Sequence, residues 1–212
     1  MLKPEEIYDV LYRIPKGVDS TIVLEDLDLK DIPKDRINKI ISIIYDHDYY
    51  DDFDLIKAAS LLSNWGFDEG FYFLSSLLLG EKENKLLYEL LIDEEVYKMI
   101  FYAIIGYWGS VSDSNIDGSH LKDIMFPVVS KLIELASING FNISYIYFMI
   151  LDYDFVEFVP LVKKYLSNII DDSSQYWNIH DSIKLLMKIE PGFAIDLIHK
   201  KNKELSDFGI EI

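Results

Sequence analysis

IKAASLLSNWG (residues 56–66) and MIFYAIIGYWG (residues 99–109) both end in Trp-Gly and lie 43 residues apart. Each is an apolar run at helical spacing, closed by a glycine, the residue that most often ends a helix. An echo at a period of this size marks helix pairs laid one on the next. Adding the same interval to Gly109 reaches Asp152, where another apolar run stops. The fold class read from this pattern is all-α: an α-α superhelix of stacked helix pairs, about four of them and degenerate, behind an N-terminal helical cap.

Working outward, the first pair is expected over 55–64 and 68–79, with Gly66 as the C-terminal glycine and Asp68 as the N-cap. A short helix over 83–91 connects it to a second pair, 94–108 and 119–137, joined by a loop over 109–118. The third pair covers 142–151 and 155–170. The fourth covers 179–189 and 193–204, turned at Glu190-Pro191-Gly192. Pro127 and Pro160 stand at comparable places in two successive second helices. Each pair is apolar on more than one face, so it must stack on a neighbour to bury that surface. Trp65 and Trp108, at equivalent turns, are expected to be buried between pairs. Towards the N-terminus, a helix begins at Pro4, residues 19–35 are irregular and acidic, and a second helix covers 36–45 with Ile37, Ile40, Ile41 and Ile44 on one side. Two regions follow: an acidic helical cap over 1–54 and one continuous repeat domain over 55–212.

Charge narrows the function. The chain carries 37 acids against 20 bases, a net charge of −17, and its only arginines are Arg13 and Arg36. Such a chain repels phosphate backbones and lacks the guanidinium forks that read bases, so nucleic-acid binding is not expected. Its natural counterpart is a basic partner. There is no cysteine, which excludes disulfides, thiolate metal sites and a cysteine nucleophile. The N-terminus, MLKPEEIYDVLYR, has acids and no apolar core of a signal peptide. The longest apolar runs fall short of the roughly 20 residues that span a bilayer. A soluble cytoplasmic protein without membrane contact is the expectation.

Two motifs invite a chemical reading. DSNIDGSHLKDI (residues 113–124) sets Asp113, Asn115 and Asp117 at alternate positions before Gly118, as a calcium loop does. Calcium needs six to eight oxygens, and the bidentate acid that completes such a loop is replaced by Ile124. A polar turn accounts for the same residues. FMILDYDFV (residues 148–156) puts Asp152 and Asp154 after an apolar run, in the manner of haloacid-dehalogenase-like phosphotransferases. That chemistry needs a strand end in a parallel sheet, whereas the surrounding pattern is helical. His47, His120, His180 and His199 show no metal spacing, and no phosphate loop, dinucleotide fingerprint or nucleophile elbow occurs. No catalytic residue, metal or cofactor is therefore expected, and the chain reads as a non-enzyme.

The expected working surface is YDHDYYDDFD (residues 45–54), with five aspartates, three tyrosines, a phenylalanine and a histidine. Tyrosine gives large, stiff contact area at low entropic cost, and aspartates steer a basic partner. The partner-binding set is Tyr45, Asp46, Asp48, Tyr49, Tyr50, Asp51, Asp52 and Asp54. The same residues also read as a solvated loop that caps the next helix and seals the end of the array.

The Trp-Gly turns, the period and the acidity resemble HEAT-like bacterial helical-repeat proteins. Among these are immunity proteins of polymorphic toxin and contact-dependent growth inhibition systems. The resemblance covers residues 55–204 at the level of fold and rests on no family-specific motif. It implies a non-catalytic inhibitor that occludes the active site of a cognate, basic, nuclease-type toxin domain. In that role Tyr45, Tyr49 and Tyr50 anchor, while Asp46, Asp48, Asp51, Asp52 and Asp54 take the place of substrate phosphates or pair with lysines and arginines of the toxin. The alternative is a general adaptor that binds another protein on the concave face of the repeats.

Overall fold

The computed structural model describes residues 2–80, 89, 91–112 and 118–211. Among these the secondary structure is helical, with no strand. The ten α-helices are α1 (Pro4–Leu11), α2 (Lys34–Tyr45), α3 (Asp52–Asn64), α4 (Asp68–Leu78), α5 (Glu94–Ser112), α6 (Gly118–Asn139), α7 (Tyr147–Asp152), α8 (Val159–Ile169), α9 (Tyr176–Ile189) and α10 (Pro191–Lys200), joined in places by 3-10 turns. The all-α class is the one expected. No helix among the described residues is long and apolar enough to cross a membrane.

Contacts divide the chain into two units, Met1–Val128 and Val129–Ile212. The division falls inside α6, next to Pro127, whose ring nitrogen offers no hydrogen bond to the helix. The helices of residues 1–54 belong to the same unit as α3.

The first unit is built around α3. Leu55, Ile56, Ala58, Ala59, Ser60, Leu61, Leu62, Ser63 and Asn64 are all buried, which makes α3 a core helix surrounded by others rather than a surface helix. It packs on α1, α2, α4 and α5. Its small residues let neighbours approach closely: a Cβ added at Gly70 would lie 2.4 Å from both the Ala59 carbonyl and the Ser63 amide. Between α3 and α5, the Ser63 hydroxyl donates to the Ala103 carbonyl at 2.8 Å, and the Ser110 hydroxyl to the Asn64 carbonyl at 2.7 Å. Phe71 of α4 stacks on Tyr107 of α5, with centroids 4.3 Å apart. Contact of α3 with both α4 and α5 is what stacked pairs require.

α1 is fastened by buried Arg36 of α2, which donates from Nε to the Val10 carbonyl at 2.9 Å and from Nη1 to the Arg13 carbonyl at 2.8 Å. These bonds satisfy carbonyls that the end of α1 leaves open. Burial pulls the Arg36 guanidinium below its ordinary value.

In the second unit, α9 packs on α8 and α10. Asn178 and Ser182 of α9 form a polar seam. Asn178 donates to the Gly140 carbonyl at 3.2 Å and accepts from Asn142 at 2.7 Å. The Ser182 hydroxyl pairs with the Tyr147 hydroxyl at 2.7 Å. Tyr165 of α8 donates to the Phe141 carbonyl at 2.7 Å, and desolvation pushes its phenol pKa upward.

Several expectations need correction. The two Trp-Gly sites are not equivalent. Gly66 has φ +81, its N–H donates to the Ser63 carbonyl, and the N–H of Phe67 donates to the Leu62 carbonyl. That is a left-handed helix ending with both bonds of a Schellman motif. Gly109 lies inside α5, which continues to Ser112, so the expected loop over 109–118 does not start there. Val111, buried beyond it, keeps the helix on the core. Both tryptophans are buried as expected, at 3% and 8% exposure, but at a helix end and within a helix respectively. Asp68 is the first residue of α4 rather than its N-cap, which is Phe67. Pro127 is interior to α6 whereas Pro160 is in the first turn of α8, so the prolines are not comparable. The expected helix over 83–91 lies outside the described residues, apart from 89 and 91.

The difference between the glycines has a measurable consequence. Gly66→Ala places an L-residue in the left-handed region, with Ser110 Cβ 3.0 Å from the new methyl, and is expected to lower stability by about 1–2 kcal/mol. Gly109→Ala meets nothing within 4 Å and is expected to raise it by about 0.5–1 kcal/mol, the helix-propensity difference. Urea unfolding of the two variants checks this, and equal effects of one sign would mean that the turns are equivalent after all.

Candidate functional site

Residues 45–54 join α2 to α3. Tyr45 ends α2, residues 47–49 form a 3-10 turn, and Asp51 is the N-cap of α3. Asp46, the C-cap of α2 with φ −94 and ψ 30, leaves the helical region and starts the turn. Asp51 Oδ1 accepts the Asp54 amide at 2.8 Å, and Asp52 and Asp54 place negative charge in the first turn of α3, where the helix dipole favours it.

The ten residues face two ways. Tyr50, Asp51 and Asp54 make bonds within the chain: the Tyr50 hydroxyl accepts the Leu2 amide at 3.0 Å, and Asp54 accepts the Tyr12 hydroxyl at 2.7 Å. Partial burial, the largest cause, raises the Asp54 carboxyl above the ordinary range, and Asp51 adds to it; the bond from Tyr12 acts the other way. Asp52 is raised by burial and then by Asp51. Burial first, then the bond to Asp54, pushes the Tyr12 phenol upward. The other side is open. Tyr45 is 70% exposed and Tyr49 65%, and Asp46, His47 and Asp48 are exposed between them. Asp48 Oδ1 lies 3.4 Å from His47 Nε2.

Tyr45 and His47 also form one wall of a groove of roughly 650 Å³. The opposite wall is α4, which presents Asp68, Glu69, Tyr72 and Ser76. Residues 45–54 alone did not indicate this wall. Tyr72 is 51% exposed on a helix whose Phe71, Phe73, Leu74, Leu77 and Leu78 are buried, and Ser76 follows it one turn later on the same side. That departure from the apolar stripe was the available signal. The wall is held from behind: Phe71 meets Tyr72 edge-on at 5.4 Å, and the Tyr107 hydroxyl donates to Asp68 Oδ1 at 2.6 Å. Among the described residues no Lys or Arg pairs with Asp46, Asp48, Asp68 or Glu69. Glu25, by contrast, is paired with Lys57, and Asp171 with Lys201.

The other motifs fare differently. Residues 148–151 lie in α7, not a strand, so the geometry a haloacid-dehalogenase-like site needs is missing there; Asp154 instead ends the turn after α7 with φ +59. Asp113, Asn115 and Asp117 lie outside the described residues. Among the described residues no three His, Asp or Glu side chains are grouped to hold a metal ion. Comparison with family models, with curated proteins and with solved structures finds no match.

Proposed function

We propose that the chain is a non-catalytic inhibitor of a basic protein, and that its partner is a cognate toxin domain of nuclease type, held by occlusion as an immunity protein holds its toxin. The observation that carries this reading is the open side of the α2–α3 connection. Two tyrosines exposed at 70% and 65% stand among aspartates, and among the described residues no lysine or arginine pairs with Asp46 or Asp48. Exposed tyrosine in an uncompensated acidic field suits a basic protein surface: the rings supply anchoring area and the carboxylates supply steering. Tyr45, Asp46, Asp48 and Tyr49 are the contact set in this reading. Tyr50, Asp51 and Asp54 hold the connection in shape.

The test is co-expression with the toxin domain encoded beside this chain, read as growth rescue. Tyr45→Ala/Tyr49→Ala combined with Asp46→Asn/Asp48→Asn is expected to abolish rescue while leaving circular dichroism and thermal midpoint unchanged. Raising salt from about 50 to 500 mM is expected to slow association of the parent roughly tenfold or more. Full rescue by the folded quadruple variant would remove the assignment of this surface, and failure of the parent chain itself to rescue would favour the adaptor alternative.

A further inference from the structure

The groove between the α2–α3 connection and α4 has size, chemistry and rigidity that go beyond a charged surface. Its volume, about 650 Å³, is that of a site for a short peptide or a drug-sized molecule rather than for a single ion. Tyrosines stand on both walls, Tyr45 on one and Tyr72 on the other, each more than half exposed. Tyrosine faces attract cations through the ring quadrupole, by about 0.5–1 kcal/mol at exposed sites and more when water is excluded. The α4 wall adds the carboxylates of Asp68 and Glu69 at the start of the helix. Among the described residues, the only ionisable nitrogen lining the groove is that of His47.

We infer that this groove takes a basic segment of the partner protein, with an arginine or lysine side chain laid between Tyr45 and Tyr72 and its charge on Asp68 and Glu69. Charge complementarity selects this occupant. The chain carries a net −17, and two of its carboxylates, with which no lysine or arginine among the described residues pairs, stand in the groove. A second copy of the same chain would bring further negative charge to an already negative site. A neutral apolar peptide would desolvate Asp68 and Glu69 without bringing a positive charge to them, a loss it does not recover. The α4 wall is set before binding: Tyr107 fixes Asp68 and Phe71 backs Tyr72. A cation therefore meets a prearranged acceptor, and little side-chain freedom is lost on binding. Tyr49, exposed on the same connection but not lining the groove, then contacts whatever flanks the inserted segment.

This inference rests on the reading of the partner as basic, but its test needs no toxin. The full-length protein is titrated with acetyl-Gly-Arg-Phe-Arg-Gly-amide and, separately, with the peptide in which both arginines are glutamate. Amide shifts in the ¹⁵N–¹H spectrum are the readout. The basic peptide is expected to produce saturable shifts at His47, Glu69, Tyr72 and Ser76, and the acidic peptide none. Glu69→Lys and, separately, Tyr72→Ala are expected to weaken the basic peptide by about tenfold or more. Both positions are on the outer side of α4, and an unchanged thermal midpoint shows that the fold is kept. Unchanged affinity in both variants would overturn the inference, as would shifts spread evenly over every acidic stretch. Groove shifts that appear on concentrating the protein without peptide would assign the groove to a second copy and overturn it equally. Peptide binding without toxin rescue would strike the toxin reading alone. Toxin binding that ignores Glu69→Lys and Tyr72→Ala would strike the groove alone.

Discussion

Replacing Gly70 by alanine is expected to lower the stability of the protein by about 3 kcal/mol, at the upper end of what overpacking a core produces. Alanine is the better helix former by about 1 kcal/mol, so a loss of this size arises wholly from packing. The added Cβ would stand 2.4 Å from the Ala59 carbonyl oxygen, 2.4 Å from the Ser63 amide nitrogen and 2.7 Å from Leu62 Cβ. Two of those atoms are backbone of α3, and no rotamer change moves them. Relief requires α4 to withdraw from α3 by up to about an ångström, and α4 also carries Phe71, stacked on Tyr107. Gly106 is a useful comparison. Its closest neighbour would be the Asn64 side-chain oxygen at 2.0 Å, which can swing away by giving up the bond from Asn64 Nδ2 to the Ser60 carbonyl. Gly106→Ala is therefore the milder change. Denaturant unfolding measures both, and a loss below about 0.5 kcal/mol for Gly70→Ala would mean that the α3–α4 contact is looser than the geometry describes. The consequence reaches the groove, because Asp68, Glu69 and Tyr72 ride on α4.

Gly70 also marks where sequence reading was strong and where it stopped. The helical class was legible from apolar spacing alone, and Gly66 was legible as a helix end because Phe-Asp-Glu follows it and starts a new helix. The same Trp-Gly pair at Gly109 misled, because what distinguishes it is tertiary. Val111 is buried beyond the glycine and Ser110 bonds to the Asn64 carbonyl of a helix more than 40 residues earlier. A glycine inside a helix is tolerated wherever packing on both sides of it outweighs its propensity. The candidate site was legible by the same measure. The density of aspartate and tyrosine marked residues 45–54, but nothing local separates Tyr49, which faces solvent, from Tyr50, whose hydroxyl bonds to the Leu2 amide. Nor could the segment announce its opposite wall, since Glu69 and Tyr72 share a groove with Tyr45 only once α2 and α4 have both packed on α3.

Trp65→Ala is expected to remove about 4 kcal/mol, and to do so by releasing a segment remote in sequence. Trp65 is the C-cap of α3 and is 3% exposed. Its Nε1–H donates to the carbonyl of Leu24 at 3.0 Å. The segment it holds, residues 19–33, contains only 3-10 turns, so its own backbone bonds are few. Its order depends on side chains: Leu24, Leu27 and Ile32 are buried, Glu25 pairs with Lys57 of α3, and Asp26 accepts the Tyr102 hydroxyl of α5 at 2.7 Å. Truncating a buried tryptophan to alanine removes about 3–5 kcal/mol through lost transfer energy and the cavity left behind. Trp65→Phe keeps most of the apolar area and removes one bond to the Leu24 carbonyl, which still accepts the Leu27 amide, an effect of about 0.5–1.5 kcal/mol. The pair of variants thus separates packing from hydrogen bonding at one position. Because the ties are side-chain contacts, the alanine variant should open locally before it unfolds globally. Trypsin should cut after Lys30, which is exposed, faster than in the parent. Residues 45–49 are not among the ties that Trp65 maintains, so peptide binding at the groove should survive in Trp65→Phe. A loss under about 1 kcal/mol in Trp65→Ala, with cutting at Lys30 no faster than in the parent, would show that residues 19–33 hold themselves in place.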